Sequence, residues 1–472
     1  MKIKNKILTA IEIERMAAEG KCVAHHDGKV VFVNQVAPGD VVDIQIIKKR
    51  RNYLEGNPVH FHTYSPLRTQ PFCDHFGTCG GCKWQHIGYE TQLAFKQQQV
   101  IDAMERIAKV PVHTIHPILG SKETRFYRNK LEYTFSNKRW LTREEIESGS
   151  DLGREALGFH IPGRFDKILD IEKCYLQPDP SNQIRLWLKD YAIKNKLPFF
   201  DLIDQTGYLR NLIIRTASTG EVMVIVQVAE KNDDLLNPLM EAMKVAFPEI
   251  TSLNYVINQK KNETFHDLEV VNYSGRAYIL ESMDLPDGSG RTVSFRVGPK
   301  SFYQTNSRQA KTLYDVAYRM AALKGDETVY DLYTGTGTIA NFIAHGAKRV
   351  IGIEYVEAAI EDARVNSAEN EISNTSFFAG DMKDLLSADF IEKHGKPDTV
   401  ITDPPRAGMH QDVINVLLTT APEKIVYVSC NPATQARDIA LLAGMYDLME
   451  IQPVDMFPQT HHVENVALLL RR

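Results

Sequence analysis

The sequence of 472 residues lacks long apolar runs, internal repeats and low-complexity segments. No stretch approaches the roughly 18 consecutive apolar residues that a membrane-spanning helix needs. After Lys2 and Lys4 the chain runs into Glu12 and Glu14 without the apolar core of a secretory signal, so we expect a cytoplasmic protein with no membrane partner. The 28 glycines and 21 prolines are close to average usage, which excludes a collagen-like or largely disordered chain.

An excess of basic charge is also missing. The chain has 55 Lys and Arg against 60 Asp and Glu, a net charge of −5, which argues against a polyanionic partner for the chain as a whole. The first 70 residues differ, because 11 Lys and Arg stand there against 7 Asp and Glu, and the basic excess peaks at residues 48–51. This segment is either a nucleic-acid-binding face or a solvated charge run at a strand end.

At roughly 150 residues per domain the length predicts two or three domains, and the residue patterns indicate three parts. Residues 1–62 alternate apolar and polar positions in short runs between turns, which is typical of a small antiparallel β-barrel. Residues 63–285 read as a mixed α+β part with a cysteine-rich segment and strands near 210–215 and 221–228. We expect the helical stretch near 89–118 to pack on the third part.

Residues 286–472 alternate buried strands with amphipathic helices, the pattern of a Rossmann-like α/β domain with a doubly wound parallel sheet. The predicted helices cover residues 357–370 and 410–420. Ligands of such sheets bind at the carboxyl ends of the strands. The predicted strands are 327–332, 349–354, 399–402 and 424–429.

A glycine-rich turn follows the first of these strands. Residues 331–340 read DLYTGTGTIA, and Glu354 ends the next strand, 19 residues after Gly335. The glycines permit a tight turn beside a ligand, and the carboxylate accepts both hydroxyls of a ribose, so this is a nucleoside-cofactor site. Because Gly335-x-Gly337-x-x-Ala340 also satisfies the dinucleotide fingerprint, NAD and S-adenosylmethionine both remain open on this motif.

The residues that follow the strands 399–402 and 424–429 favour methyl transfer to a pyrimidine. Strand 399–402 leads into Asp403-Pro-Pro-Arg406, where two prolines stiffen a loop that places a carboxylate by the cofactor. Amino-methyltransferases carry an aromatic residue after a similar motif, so Arg406 argues against that class. Strand 424–429 delivers Cys430, and a thiolate that adds to C6 of a pyrimidine activates C5 for methylation. The alternative for a lone cysteine is a small buried apolar residue, but its place at a strand end favours the nucleophile.

Four short motifs occur in the second half of the chain: FYQTN at 302–306, DPPR at 403–406, SCNP at 429–432 and HHVE at 461–464. Together they resemble the RNA uracil-C5 methyltransferases of the bacterial 23S ribosomal RNA type, and residues 1–62 resemble a TRAM domain. The resemblance implies a class I enzyme that uses S-adenosylmethionine to methylate C5 of a uridine in 23S ribosomal RNA.

The same resemblance implies roles for individual residues. Cys430 corresponds to the nucleophile and Glu464 to the base that removes the C5 proton. Tyr333 and Thr338 stand where relatives often have Phe and Asn. The residues implied to contact S-adenosylmethionine, or to lie between it and the uracil, are Gln304, Tyr333, Glu354 and Asp403.

Four cysteines form a candidate metal site: Cys73, Cys79, Cys82 and the remote Cys174. Four thiolates hold either a zinc ion or a 4Fe-4S cluster, and the spacing alone leaves both open. Three clustered cysteines with one distant partner fit the cluster better, and the resemblance points to the family's iron-sulfur members. Disulfides do not suit a cytoplasmic chain. Since methyl transfer needs no electron, we expect a structural or RNA-positioning role.

Two residues are candidate RNA contacts. Arg128 lies in a stretch of basic and aromatic residues, and Phe302 precedes Gln304, although a structural role suits each as well. We expect ribosomal RNA with a flipped base as the partner and no obligate protein partner. One alternative is the same chemistry on a transfer RNA uridine. Another is a non-catalytic RNA-binding or assembly factor, against which the joint presence of Cys430, Glu464 and Asp403 argues.

Overall fold

The computed structural model describes residues 6–149 and 152–472, so Lys2 and Lys4 lie outside the described residues. The N-terminal part folds into one sheet with the strands β1 (Ile7–Glu12), β2 (Arg15–Met16), β3 (Cys22–His26), β4 (Lys29–Val33), β5 (Val41–Lys49) and β6 (Tyr53–Thr63). The sheet order is β1-β5-β6-β4-β3-β2. Because its edge strands β1 and β2 are consecutive in the chain, the sheet curls into a barrel around Val31, Val42 and Ile44.

This barrel differs from the predicted one in a single respect. The pair β4 and β6 is parallel, whereas the prediction was an antiparallel barrel. The physical reason is the connection after Val33, which crosses to β5 on the far side of β6 before the chain returns.

The chain between the barrel and the second sheet supplies one long helix. Residues 64–88, all within the described part of the chain, form no helix or extended strand and hold three of the candidate metal-ligand cysteines. Helix α1 (Tyr89–Ala103) continues into a π-helical turn at Met104–Ala108, and β7 (Val112–Ile115) follows. The predicted helical stretch near 89–118 is therefore too long at its end, because Lys109 adopts the left-handed conformation and Pro111 follows shortly after it.

The second part of the chain has the predicted mixture of helices and strands, and its strands form the second sheet. Its elements are β8 (Lys130–Ser136), α2 (Arg143–Glu147), β9 (Ala156–Ile161), β10 (Arg164–Asp170), α3 (Ser181–Lys194), β11 (Leu209–Thr216), β12 (Val222–Val228), α4 (Asp233–Ala246), β13 (Ile250–Ile257) and β14 (Val271–Gly275). The sheet order is β10-β9-β8-β11-β12-β13-β14.

Strand β12 is buried on both faces, and alternate side chains join different cores. Val224 and Val226 pack with residues of α3 and α4, while Met223 and Ile225 pack with the third part of the chain. Since neighbouring side chains of a strand point to opposite faces, this sheet forms a layer between α3 and α4 on one side and the third part on the other. Gln227 is the one polar residue of β12 for that reason.

The rest of the chain contains a larger sheet and a hairpin that crosses the predicted boundary between residues 285 and 286, because Ile279–Asp284 pairs with Thr292–Val297. Its elements are β15 (Ile279–Asp284), β16 (Thr292–Val297), α5 (Ser307–Ala321), β17 (Thr328–Leu332), α6 (Thr338–Ile343), β18 (Arg349–Glu354), α7 (Glu357–Glu369), β19 (Thr375–Ala379), α8 (Met382–Leu385), α9 (Ala388–His394), β20 (Thr399–Thr402), α10 (Gln411–Thr420), β21 (Lys424–Ser429), α11 (Pro432–Leu442), β22 (Tyr446–Val454) and β23 (Glu464–Arg471). The four predicted strands and both predicted helices are confirmed.

The larger sheet has the order β19-β18-β17-β20-β21-β23-β22-β7. Strands β17 to β21 are parallel, and β23 runs antiparallel to β21 with Ser429 opposite Asn465. The first residue of β23, Glu464, therefore lies at the same edge as the last residues of the parallel strands. This arrangement brings Cys430 and Glu464 to adjacent positions.

Helix α1 and strand β7 complete this sheet from a distant part of the sequence. Val112 of β7 pairs with Leu448 of β22, and Val100 of α1 packs in the same core as Ile439 of α11. Among the helices of the described residues, none combines the length and the apolar character needed to cross a membrane.

Candidate active site

A cavity of about 1520 Å³ opens at the carboxyl edge of the larger sheet. It gathers all the residues that the sequence singled out for catalysis, S-adenosylmethionine binding and RNA contact. These are Cys430, Glu464, Gln304, Tyr333, Glu354, Asp403, Arg128 and Phe302. A parallel sheet is expected to bind its ligand at this edge.

The glycine-rich turn shapes one side of the cavity. Tyr333, Gly335 and Gly337 all have positive φ, at 64°, 55° and 75°. A Cβ added to Gly337 would lie 2.8 Å from the Cβ of Ala363, so the close approach of α6 and α7 requires glycine there. Tyr333 adopts the left-handed conformation with a bulky side chain, which costs energy and is frequent at functional sites.

Two carboxylates hold this turn. Gly335 donates its backbone N–H to Glu354 Oε2 at 3.2 Å, and Val356 donates to Glu354 Oε1 at 3.1 Å. Beneath the turn, Asp331 Oδ2 accepts from the Thr334 hydroxyl at 2.5 Å and from Ala340 N–H at 3.0 Å. Burial raises the pKa of Asp331 to about 7. Glu354 thus lies in the cavity wall, where its position suits ribose recognition.

The segment before α5 forms the opposite side of the cavity. Gln304 is held through its backbone carbonyl oxygen, which accepts a hydrogen bond from Asn129 Nδ2 at 2.9 Å. Asn129 follows Arg128, so this contact joins one predicted RNA contact to one predicted cofactor contact. Phe302 is 69% exposed at the cavity mouth, whereas the adjacent Tyr303 is buried. An exposed ring at this place is available to stack on a base.

The reacting groups share a buried and electrostatically crowded environment. Burial raises the pKa of Asp403 to about 7 and, together with the charge of Asp403, raises the pKa of Glu464 to about 8. Burial, followed by the charges of Glu464 and Asp403, raises the pKa of the Cys430 thiol to about 11. A negative charge on any one of these three groups therefore makes ionisation of the other two less favourable.

Arg406 lies in this cavity, and the sequence analysis gave it no role. Its positive charge beside Cys430 opposes the rise of the thiol pKa. Arg406 also donates to His462 Nδ1 at 2.5 Å, and its carbonyl oxygen accepts from Asn431 Nδ2 at 3.0 Å. The sequence shows Arg406 as the single cation of the DPPR loop, but it does not show that the fold places this cation near two acids and a thiol.

A second cavity, of about 1110 Å³, adjoins the first and is lined by Cys73, Cys79, Cys82 and Cys174. The two cavities share Gly80, Gly81, Lys83 and Arg128 in their walls. Burial, with the charges of neighbouring thiols adding to it, raises the pKa of Cys79 to about 11 and that of Cys82 to about 12. The structure thus brings Cys174 to the three clustered cysteines.

Backbone contacts fix the cysteine segment. Cys79 donates its N–H to His75 O at 2.8 Å, and Gly81 donates to Cys79 Sγ at 3.5 Å. Asn182 accepts from Cys174 N–H at 2.8 Å and donates to its carbonyl oxygen at 3.0 Å. Across residues 6–149 and 152–472, no three His, Cys, Asp or Glu side chains are gathered closely enough to hold a metal ion. The predicted cluster ligands remain a prediction.

Comparison with known proteins agrees with this site. Residues 272–472 match the family model of the tRNA (uracil-5-)-methyltransferases, and residues 9–59 match the TRAM domain. An RNA methyltransferase of Bacteroides thetaiotaomicron is 57% identical over 458 residues, which cover 96% of this chain and 99% of the relative. Another from Porphyromonas gingivalis is 56% identical over 469 residues, which cover 98% and 99%.

A solved structure is similar along nearly the whole chain. The tRNA (uracil-54, C5)-methyltransferase of Pyrococcus abyssi, in complex with S-adenosyl-L-homocysteine, has a TM-score of 0.75 at 28% identity. The match covers 98% of this chain and 100% of that one. The class I fold, the strand-edge cavity and these relatives agree with one another. The chain therefore belongs to the RNA (uracil-5-)-methyltransferase family with an N-terminal TRAM domain, and it is an S-adenosylmethionine-dependent enzyme.

Proposed function

We propose that this enzyme methylates C5 of a uridine in 23S ribosomal RNA, with Cys430 as the nucleophile and Glu464 as the base. One observation carries this proposal. Cys430 and Glu464 meet in the same cavity as Gln304, Tyr333 and Glu354, because β23 runs antiparallel to β21. The nucleophile and the base thus lie beside the residues that would hold the methyl donor.

The reaction proceeds in two halves. The Cys430 thiolate would form a bond to C6 of uracil, and the C5–C6 double-bond electrons would form a bond to the methyl group of bound S-adenosylmethionine. The bond between that methyl group and sulfur would break, and S-adenosylhomocysteine would leave. Glu464 then takes the C5 proton, the electron pair of that C–H bond restores the double bond, and the Cys430–C6 bond breaks. Elimination regenerates the Cys430 thiolate. Glu464 returns to its carboxylate form when it releases the C5 proton to solvent.

The charges in the cavity suit this sequence. Arg406 stabilises the thiolate, while Asp403 and Glu464 oppose it. A cationic methyl donor that binds beside Asp403 lowers the pKa of both Cys430 and Glu464, because a nearby positive charge favours their ionised forms. Filling of the cofactor site and activation of the nucleophile are thereby coupled.

Three working parts follow from this assignment. Residues 1–62 bind RNA, residues 63–285 hold the cysteine site, and residues 286–472 transfer the methyl group, with α1 and β7 completing the catalytic sheet. The basic run at 48–51 supports RNA binding by the first part. Arg128 and Phe302, which line the cavity, then contact the RNA next to the flipped uridine.

The cysteine cavity is proposed to hold one 4Fe-4S cluster through Cys73, Cys79, Cys82 and Cys174. The four thiols line one cavity, burial raises the pKa of each of them, and Gly81 donates its N–H to Cys79 Sγ, as hydrogen bonds do at cluster sulfurs. Three clustered cysteines with one remote partner also fit the ligand spacing of a cluster better than the two close pairs that are usual at zinc sites.

A transfer RNA uridine is the second candidate substrate. It is supported by the similarity to the Pyrococcus abyssi enzyme, which is a tRNA (uracil-54, C5)-methyltransferase. The two candidates share every catalytic residue and differ only in the RNA that reaches the cavity.

Mass spectrometric mapping of 5-methyluridine decides between them. Ribosomal and transfer RNA are compared from cells with and without the gene, and the unmodified RNAs are then treated with purified enzyme. The proposal expects a 5-methyluridine in 23S ribosomal RNA that disappears with the gene and is restored in vitro. Loss from transfer RNA alone would favour the second candidate, and 5-methyluridine unchanged in both would contradict the function.

A further inference from the structure

One wall of the active-site cavity is an irregular segment, residues 455–463, between β22 and β23. Phe457, Thr460, His461 and His462 of this segment line the cavity, and Glu464 follows directly. Since the segment forms no regular backbone hydrogen-bond ladder of its own, its shape depends on contacts with other parts of the chain.

A buried ion pair anchors the start of this wall segment. Lys96 of α1 donates to Asp455 Oδ1 at 2.5 Å and to the carbonyl oxygen of Phe457 at 3.0 Å, and both charged side chains have zero exposure. Tyr89, also on α1, donates its hydroxyl to Asp455 Oδ2 at 2.8 Å. The carboxylate additionally accepts from Phe457 N–H at 3.0 Å. Three hydrogen-bond donors therefore hold the two oxygens of this carboxylate.

A second contact from α1 holds the middle of the wall segment. Gln92 donates to Gln459 Oε1 at 3.0 Å and accepts from Gln459 N–H at 2.9 Å. The Gln459 carbonyl oxygen accepts from the N–H groups of Lys83 and Trp84, at 2.9 and 3.0 Å. Helix α1 and the end of the cysteine segment thus hold the same point from two sides.

The far end of the wall segment reaches the nucleophile through Arg406. His462 accepts from Arg406 at 2.5 Å, and the guanidinium of Arg406 lines the same cavity as Cys430, where its charge lowers the thiol pKa. This geometry needs a neutral His462. Burial, with the charges of Arg406 and Lys96 adding to it, lowers the pKa of His462 to about 4.

Burying a lysine and an aspartate is not an efficient way to stabilise a fold. Their desolvation often cancels their attraction, and apolar side chains of the same volume do as well or better. A buried pair does fix one geometry, because alternatives leave a charge unpaired. Helix α1 also lies outside residues 272–472, which match the methyltransferase family model.

We infer that Lys96 is a positioning residue: through Asp455 and Phe457 it holds the 455–463 wall so that His462 orients Arg406 against the Cys430 thiol. The inference rests on the proposed function of Cys430. Lys96 itself touches no reacting atom, and its contribution passes through the backbone of the wall segment.

Three variants and a matched control test this role. Lys96→Met removes one charge, and Lys96→Met/Asp455→Asn removes both, which relieves the cost of an unpaired buried carboxylate. Tyr89→Phe removes a single hydrogen bond to Asp455 and is the mildest change. The control, Lys424→Met, removes a half-buried lysine that donates to Ala321 O at the opposite edge of the same sheet.

We expect both Lys96 variants to lose about tenfold or more in kcat, since small misplacements of reacting groups carry large rate costs. KM for S-adenosylmethionine and for RNA should stay within about twofold of the wild type. The double variant should unfold at a higher temperature than Lys96→Met without regaining kcat. Tyr89→Phe should lose about two- to fivefold in kcat, and Lys424→Met should match the wild type.

A second readout is independent of the RNA substrate. Alkylation of Cys430 by iodoacetamide, followed by peptide mass spectrometry across pH, reports the thiol pKa, which burial raises most and which the charges of Glu464, Asp403 and Arg406 modify. The midpoint should move to higher pH in the Lys96 variants, because a displaced Arg406 stabilises the thiolate less. An unmoved midpoint and wild-type kcat in the folded double variant and in Tyr89→Phe would overturn the inference. A moved midpoint in an enzyme that makes no 5-methyluridine would leave it standing and contradict the proposed function instead.

Discussion

The active-site cavity and the cysteine cavity adjoin each other, yet the chain builds them in different ways. The active site uses the carboxyl ends of parallel strands, so that Glu354, Asp403 and Cys430 fall at one edge of one sheet. The cysteine site joins an irregular segment to Cys174, which lies between β10 and α3. A regular sheet fixes the first site, whereas loop contacts such as Asn182 on Cys174 fix the second.

The two cavities also differ in the charged groups that surround their thiols. Around Cys430 two carboxyl groups are balanced by Arg406, so the thiol responds to any cation that enters. Around Cys79 and Cys82 burial and neighbouring thiols all act in one direction and raise the thiol pKa values. The first environment is suited to a nucleophile that changes its charge, and the second to ligands that need a bound cation to become thiolates.

The largest expected effect is that of Cys430→Ala. Removing the nucleophile should lower methyl transfer by ~10³-fold or more while the dissociation constant of S-adenosylmethionine changes by about twofold or less. Methyl incorporation into RNA and calorimetric titration measure the two quantities. Methylation at the wild-type rate would eliminate the assigned nucleophile. Cys22→Ala, at a buried barrel position away from the cavity, is the matched cysteine control.

Glu464→Gln should separate the two halves of the reaction. The amide is close in size to the carboxyl group but accepts no proton, so a methylated RNA should stay attached to Cys430. The expected species survives denaturing electrophoresis, carries the labelled methyl group and is absent from Glu464→Gln/Cys430→Ala. Turnover at the normal rate would remove Glu464 as the base and make His461 or His462 the next residues to test.

The same variant changes the pH dependence of stability. The folded-state pKa of Glu464, raised by burial to about 8, lies above its unfolded value, so the folded state binds the proton more tightly. Wild-type stability should therefore fall between about pH 4.5 and pH 8 by several kcal/mol more than that of Glu464→Gln. Thermal unfolding across this range measures the difference, and parallel curves would contradict the raised pKa.

Cys174→Ala sharpens the contrast between the cavities. Three thiolates leave one iron of a cluster without its protein ligand, so the brown colour and broad visible absorption should be lost. The dissociation constant of S-adenosylmethionine should change by about twofold or less, because its site is built by the sheet edge. Wild-type protein that is colourless after anaerobic purification and contains stoichiometric zinc would show a zinc site instead.

The smallest effects are expected at the cavity mouth. Phe302→Ala should weaken RNA binding by about fivefold, the lower end of the loss for one stacked base. Arg128→Gln should weaken it similarly and reduce the slope of log Kd against log salt by about 0.7, the value for one phosphate contact to a single strand. Binding titrations at several salt concentrations measure both. Unchanged affinities would place the RNA elsewhere.

The sequence predicted the larger sheet, and it placed the candidate site residues at one edge of that sheet, for a physical reason. Each of the strands ending near Leu332, Glu354, Thr402 and Ser429 is a short apolar run, and parallel strands end at one edge. Strand β7 was not predicted, because Val112–Ile115 is largely exposed and its pairing with β22 spans more than 300 residues. The role of Arg406 was equally invisible, since it depends on His462 and Cys430 from two other loops.

Trapping with 5-fluorouridine RNA tests the central claim most directly. Fluorine at C5 cannot leave as a proton, so attack by Cys430 and methyl transfer should end in a stable covalent complex. Intact-mass analysis of the denatured wild type, incubated with the RNA and S-adenosylmethionine, should show the protein plus one methylated RNA, attached at Cys430 after digestion. No adduct, or an adduct that persists in Cys430→Ala, would contradict covalent uracil-C5 methylation at this site.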